Sequence, residues 1–254
     1  MQTYRLELTK QRLAAMPAAE RRALLLLGHA TNEINVFQKL MMMVRKEEAH
    51  SIVSRCENGQ ILILMRVLIG KLHEAWELFK KRIQADAQLR AKYLDNLSRD
   101  GRTLLDRLNR HFGAGSPLTA IRNQVAFHYT DKTEQVEESF QHLSETEAWE
   151  FYLSETVGNS FYWASELVVT VGAIRLVTPN AQGGQEPFAR LANIAIGVAG
   201  DMTGLFHELI ADMVESMDGD ICAIGVEIGD AAKMTRFHLP FFFDEDDLRR
   251  QTEA

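Results

Sequence analysis

Apolar residues recur at three- and four-residue spacing along almost the whole chain, and only 5 prolines in 254 residues interrupt them. Such a rhythm puts an apolar stripe on one side of each of a series of helices, whereas strands would need strict alternation. The chain is therefore predicted to be all-α. With 46% hydrophobic residues it has material for one sizeable core, in one or two domains.

The pattern can be cut into elements. A long helix is predicted from about 17 to 49, with Pro17 suited to its first turn. SRCENGQ, residues 54–60, contains Gly59 and reads as a break. The next helix spans about 60–84 and ends in Lys80, Lys81 and Arg82, which complement the negative end of its dipole. Shorter helices follow at about 86–95 and 99–112. GAGSP makes a turn, after which Ser116 caps and Pro117 opens another helix. Helices are expected again at about 132–143 and 160–177, and EFYLSETVGNSFYW between them suits a short extended segment. TPNAQGGQEP, 178–187, is the best linker, and a long helix of about 187–217 follows it. The remainder, ICAIGVEIGDAAKMTRFHLPFFFDEDD, alternates and then turns aromatic and acidic, so it is predicted extended, as a small local hairpin. The organisation expected is a bundle over 1–177, then a linker, a C-terminal helix and an extended tail over 178–254 that packs on the bundle.

Several function classes fall away. The net charge is -7, so the chain as a whole is no basic nucleic-acid coat, and any such contact has to be local. Cys56 and Cys222 belong to no CxxC or CxxH pattern, which argues against a disulfide framework and a zinc site. The opening MQTYRLELTKQR has charges from Arg5 onward and no apolar core of a secretory signal. The uncharged stretch LANIAIGVAG is far short of the roughly 20 residues a membrane span needs. A cytoplasmic protein without a membrane partner is expected. A di-iron carboxylate bundle would need two Glu-x-x-His motifs, and only Glu47–His50 has that spacing. There is no GxxxxGK[ST], no HExxH and no GxSxG. No cofactor or metal is expected.

Residues 121–131, IRNQVAFHYTD, stand out. RNA transesterification needs proton transfer at the 2′-oxygen and the leaving oxygen, and positive charge at the phosphate. His128 suits proton transfer near neutral pH. Arg122 supplies a permanent charge in a phosphate-shaped fork. Asn123 can orient either one, and Tyr129 can donate to phosphate or stack on a base. Four arginine–histidine pairs have four to six residues between them (Arg22–His29, Arg45–His50, Arg66–His73 and Arg122–His128), so spacing alone selects none; Asn123 and Tyr129 single out the last.

Arg122, Asn123 and His128 resemble the signature of the HEPN superfamily of helical domains, in which arginine, often with a following polar residue, precedes histidine by four to six intervening residues. Five intervene here. The tyrosine of some toxin–antitoxin members lies one residue further on than Tyr129. The resemblance covers about residues 18–177 and implies an up-and-down helical bundle with a metal-independent ribonuclease site at a homodimer interface. It implies catalysis by Arg122, Asn123 and His128, and a toxin or phage-defence role, with RNA as substrate and an antitoxin or other protein as partner. A non-catalytic HEPN-like module that binds nucleotide or protein partners is the alternative.

Geometry agrees with a shared site. On an ideal helix Arg122 and His128 lie about 120° apart and about 9 Å along the axis, so one copy does not present both on a tight face. Two copies across a two-fold axis can. From Arg99 to His128 five arginines face two aspartates, a local net +3 that offers Arg107 and Arg110 to RNA. The alternative is a solvated face of i,i+4 ion pairs. Asn32 and Glu33 lie midway along the first helix, where the resemblance implies a polar residue behind the site, with Glu33 orienting Arg122 or His128; an exposed helix face is the alternative. Met41, Met42 and Met43 suit core. Phe241, Phe242 and Phe243 require burial, on the bundle or on a partner.

Overall fold

A computed structural model describes residues 2–44, 51–113, 115–123, 133–143, 149–156, 158–178, 185–217, 223–227 and 237–244. Of these, 74% are helical and 5% extended, so the chain is all-α. The order is β1 (Gln2–Leu6), α1 (Lys10–Ala15), α2 (Ala18–Met43), α3 (Ile52–Phe79), α4 (Ala87–Leu89), α5 (Arg99–His111), α6 (Pro117–Ile121), α7 (Thr133–Gln141), α8 (Trp163–Val177), α9 (Gln185–Glu215) and β2 (Ala223–Glu227). Two wider π-helical turns, Lys80–Gln84 and Arg90–Leu94, flank α4.

Contacts divide the chain into two units. The first comprises Met1–Val36, Lys71–Ser116 and Ile196–Arg236; the second comprises Phe37–Gly70, Pro117–Ala195 and Phe237–Ala254. Helices α2, α3 and α9 give residues to both.

In the first unit, Leu27, Ile34, Leu72, Phe79, Leu108, Leu205, Phe206 and Leu209 are fully buried. Each such side chain contributes about 1.5–3 kcal/mol of transfer free energy. An aromatic row ties α3 to its neighbours: Trp76 stacks on Phe79 at 5.0 Å and on Phe112 at 5.2 Å, and Phe79 meets Phe206 at 6.1 Å. Helix α5 starts at Ser98, whose hydroxyl accepts from the Gly101 N–H at 2.9 Å. Glu208 accepts in turn from the Ser98 N–H and hydroxyl, at 2.7 and 3.0 Å. Helix α9 is long and apolar enough to cross a membrane by length and composition, but Leu191, Ala195, Val198, Met202, Leu205, Phe206 and Leu209 on it are completely buried in protein.

The tail departs from the predicted local hairpin. β2 pairs antiparallel with β1 at the other end of the sequence, Gln2 opposite Glu227 and Leu6 opposite Ala223. A five-residue strand carries too little pattern to announce so distant a partner.

In the second unit, Cys56, Met65, Leu68, Ile69, Leu118 and Ile121 are buried, α6 and α7 pack on α8, and Arg66 on α3 grips Glu166 on α8 at 2.7 Å. The predicted break at 54–60 does not occur, because α3 runs through it. Gly59 is there for close approach: a Cβ on it would overlap the Phe161 ring. The aromatic tail docks in this unit. The Leu239 N–H donates to the Met43 carbonyl at 2.8 Å, Gln60 donates to the Pro240 carbonyl at 3.4 Å, and Phe241 meets Phe161 edge-on at 5.0 Å. Asn159 donates to the Phe243 carbonyl at 2.9 Å and accepts from its N–H at 3.2 Å. Residues 237–244 thus pack within the second unit, whereas β2 belongs to the first.

Candidate functional site

The Ser116 hydroxyl donates to the His111 carbonyl, and the Ser116 N–H donates to Gly113 at 3.1 Å, tying the GAGSP turn to the end of α5. Gly115 takes a φ of 78°, a conformation glycine adopts without a Cβ penalty. Pro117 then opens α6, whose Leu118 and Ile121, three residues apart, are both buried.

Arg122 and Asn123 follow directly, where the helix widens into a π-type turn. Such widening frequently accompanies functional sites. Nη1 of Arg122 donates to Oδ1 of Asn123 at 3.0 Å. Nε of Arg122 is buried and has no hydrogen-bond partner among the described residues. The guanidinium is therefore steered by its neighbour. His128 and Tyr129 lie outside the described residues.

The other expected residues are placed as follows. Arg107 holds Asp201 with two parallel hydrogen bonds, at 2.8 and 2.6 Å, which raise its pKa further above the ordinary arginine value. Arg102 is also engaged, donating to the carbonyls of Leu97 and Asp95 at 3.1 and 3.0 Å. Arg110 is exposed on the last turn of α5. The arginine row thus has two members tied to structural partners. Glu33 is half-buried; its Oε1 accepts from Lys71 at 2.9 Å and its Oε2 faces His29 at 3.8 Å. Asn32 is exposed.

Two groupings in the second unit escaped the sequence reading. Arg55, Glu150 and Tyr152 form a hydrogen-bonded triad. It lowers the Glu150 pKa, chiefly through Arg55 and next through Tyr152. Burial, then the hydrogen bond to Glu150, raises that of Tyr152. Beside it, Glu57 is almost wholly buried and meets Nε2 of His238 at 2.6 Å. Its Oε2 has no hydrogen-bond partner among the described residues. Burial first and the Glu57 charge second push the Cys56 thiol up to about 11. Glu57 is one of three glutamates on α3, so nothing local singled it out, and its partner lies 181 residues away.

The first unit also holds an open groove of about 490 Å³, lined by Lys80, Gln84, Ala85, Arg90, Leu94, Asp95 and Leu105. Both π-helical turns contribute to it. Among the described residues no three His, Cys, Asp or Glu side chains gather as a metal site. Comparison with protein-family models, curated proteins and solved structures finds no match for this chain.

Proposed function

We propose that this chain is a metal-independent endoribonuclease of HEPN type, acting in the cytoplasm as a toxin or phage-defence effector. The observation that carries the reading is the Arg122–Asn123 hydrogen bond at 3.0 Å, which sets a phosphate-shaped cation just ahead of His128. In this reaction the RNA 2′-oxygen attacks the adjacent phosphorus and the 5′-oxygen leaves. His128 takes the proton from the 2′-hydroxyl or delivers one to the leaving oxygen. Arg122 stabilises the extra negative charge on the phosphorane. Asn123 holds the guanidinium in place, and Tyr129 binds or stacks on the substrate. The products are a 2′,3′-cyclic phosphate and a 5′-hydroxyl. A second copy across a two-fold axis completes the site, because Arg122 and His128 face about 120° apart on one ideal helix.

The test is cleavage of a mixed RNA pool in EDTA by the protein, by Arg122→Ala and by His128→Ala. Activity in the first and its loss in both variants supports the reading. Equal cleavage by all three refutes it.

A second reading, a non-catalytic HEPN-like module that binds a nucleotide, is favoured by the groove whose lining combines Lys80, Gln84 and Arg90 with the apolar Leu94 and Leu105, against one acid, Asp95. Binding of a fluorescent nucleoside triphosphate that is lost in Arg90→Ala, with no RNA cleavage, would support it.

A further inference from the structure

Tyr152 and Phe161 form an isolated antiparallel bridge, and exposure alternates along residues 149–153. The Tyr152 N–H donates to the Phe161 carbonyl and the Phe161 N–H to the Tyr152 carbonyl, both at 2.7 Å. Alternation splits this segment into two faces. Tyr152 turns to Arg55, and Phe161 is buried over Gly59. The opposite face looks into solvent. Phe151 is 61% exposed and Leu153 77%, with Trp149 exposed in the same row. Tyr162 meets Phe151 edge-on at 5.5 Å, and Phe140 meets Trp149 at 5.0 Å; both are exposed too. Five large exposed apolar side chains thus lie on or against this short segment, and exposed apolar groups gathered in this way mark interaction sites.

The backbone alternates as well. The Glu150 carbonyl accepts from the Ala164 N–H at 3.1 Å, and the Ser154 N–H donates to the Ser160 hydroxyl at 2.9 Å. The N–H groups of Phe151 and Leu153 point away from that pairing and have no hydrogen-bond partner among the described residues. Among the described residues nothing pairs with this edge, and an unpaired edge is a template for another strand.

Charge selects the occupant. From Thr133 to Ile174 the chain has 8 glutamates and no Asp, Lys or Arg, which exceeds the net charge of the whole chain, -7. Arginines answer three of them, in the pairs Glu138–Arg175, Glu150–Arg55 and Glu166–Arg66. Of the others, Glu155 lies two residues past Leu153 and Glu137 one turn before Phe140 on α7, and both are exposed. Phosphate backbones are repelled from such a surface. A second copy of the same face would bring acid against acid.

We propose that 149–153 is a docking edge for an extended, Lys- or Arg-rich segment of another protein. The segment adds as a strand, lays alternate apolar side chains on Trp149, Phe151 and Leu153, and sets its cations among the glutamates.

The test uses the full chain and two fluorescein-labelled peptides, one alternating Lys with Val and one alternating Glu with Val, read by fluorescence anisotropy. The Lys peptide is expected to bind and the Glu peptide not, with affinity falling about tenfold or more in concentrated salt. The double variant Phe151→Ser/Leu153→Ser changes only exposed side chains, and an unchanged thermal melt checks its fold. It should weaken Lys-peptide binding at least about tenfold. Four results would each overturn the proposal: no binding of the Lys peptide, equal binding of both peptides, undiminished binding by the double variant, or a wild-type dimer that this variant dissolves. Single-stranded RNA binding that the double variant abolishes would assign the face to RNA instead.

Discussion

The Phe161 ring occupies the space that a side chain on Gly59 would fill. Gly59 sits inside a 28-residue helix, where alanine ordinarily stabilises by roughly 1 kcal/mol. Here the added methyl must displace a buried ring that also meets Phe241. Overpacking of this kind costs about 1–3 kcal/mol, so the clash outweighs the propensity gain. Gly59→Ala should lower the urea midpoint, and Gly59→Ala/Phe161→Leu should recover part of the loss. A midpoint that rises in the single variant would contradict the packing role.

His238 answers one oxygen of a carboxylate that is almost wholly buried. Removing one member of a buried pair is costly because the other is left uncompensated, on the order of 3 kcal/mol. His238→Ala should therefore destabilise strongly, and His238→Ala/Glu57→Leu should regain much of it. Chemical denaturation of the two variants measures both. A His238→Ala protein as stable as the wild type would show that the pair does not hold the tail.

Cys56 makes stability pH-dependent. Its folded pKa of about 11 lies above the ordinary 9.0, so the folded state keeps a proton that the unfolded chain releases. This stabilisation is complete below pH 9 and is lost as pH rises toward 11. The effect is on the order of a few kcal/mol at most. The fall in unfolding free energy between pH 8 and pH 11 should be smaller for Cys56→Ala than for the wild type. Equal falls would refute the assignment.

For RNA cleavage, Arg122→Ala should lower kcat by about 10²–10³, the scale of losing one charge-stabilising donor. Asn123→Ala removes only the 3.0 Å hydrogen bond that steers the guanidinium, so a loss nearer tenfold is expected. Single-turnover rates for the two variants decide the order. A larger loss in Asn123→Ala would move the main role to the asparagine.

Some elements were legible in the sequence because their signals are local. Helix α5 was readable as a short helix at about 99–112, and α9 as a long one after the TPNAQGGQEP linker. Gly59 was misread because a glycine that breaks a helix and one that admits a ring look identical in one dimension. The β1–β2 pairing joins residues too far apart for a local signal to link them, and so does Glu57–His238. At the candidate site the adjacency of Arg122 and Asn123 was visible at once. That Arg107 is already held by Asp201, 94 residues on, depended on folding.

The interleaved make-up of the two units has a consequence for synthesis. Each is woven from three separated stretches, one requiring residues near 196–217 and the other the aromatic strap near 237–244. Domains made of one continuous stretch can fold in turn as they leave the ribosome. Here translation must pass residue 196 before the first unit has its third stretch and residue 237 before the second has its strap. Half-made chains therefore hold unclosed apolar surface for most of their synthesis, the period in which they most need chaperones.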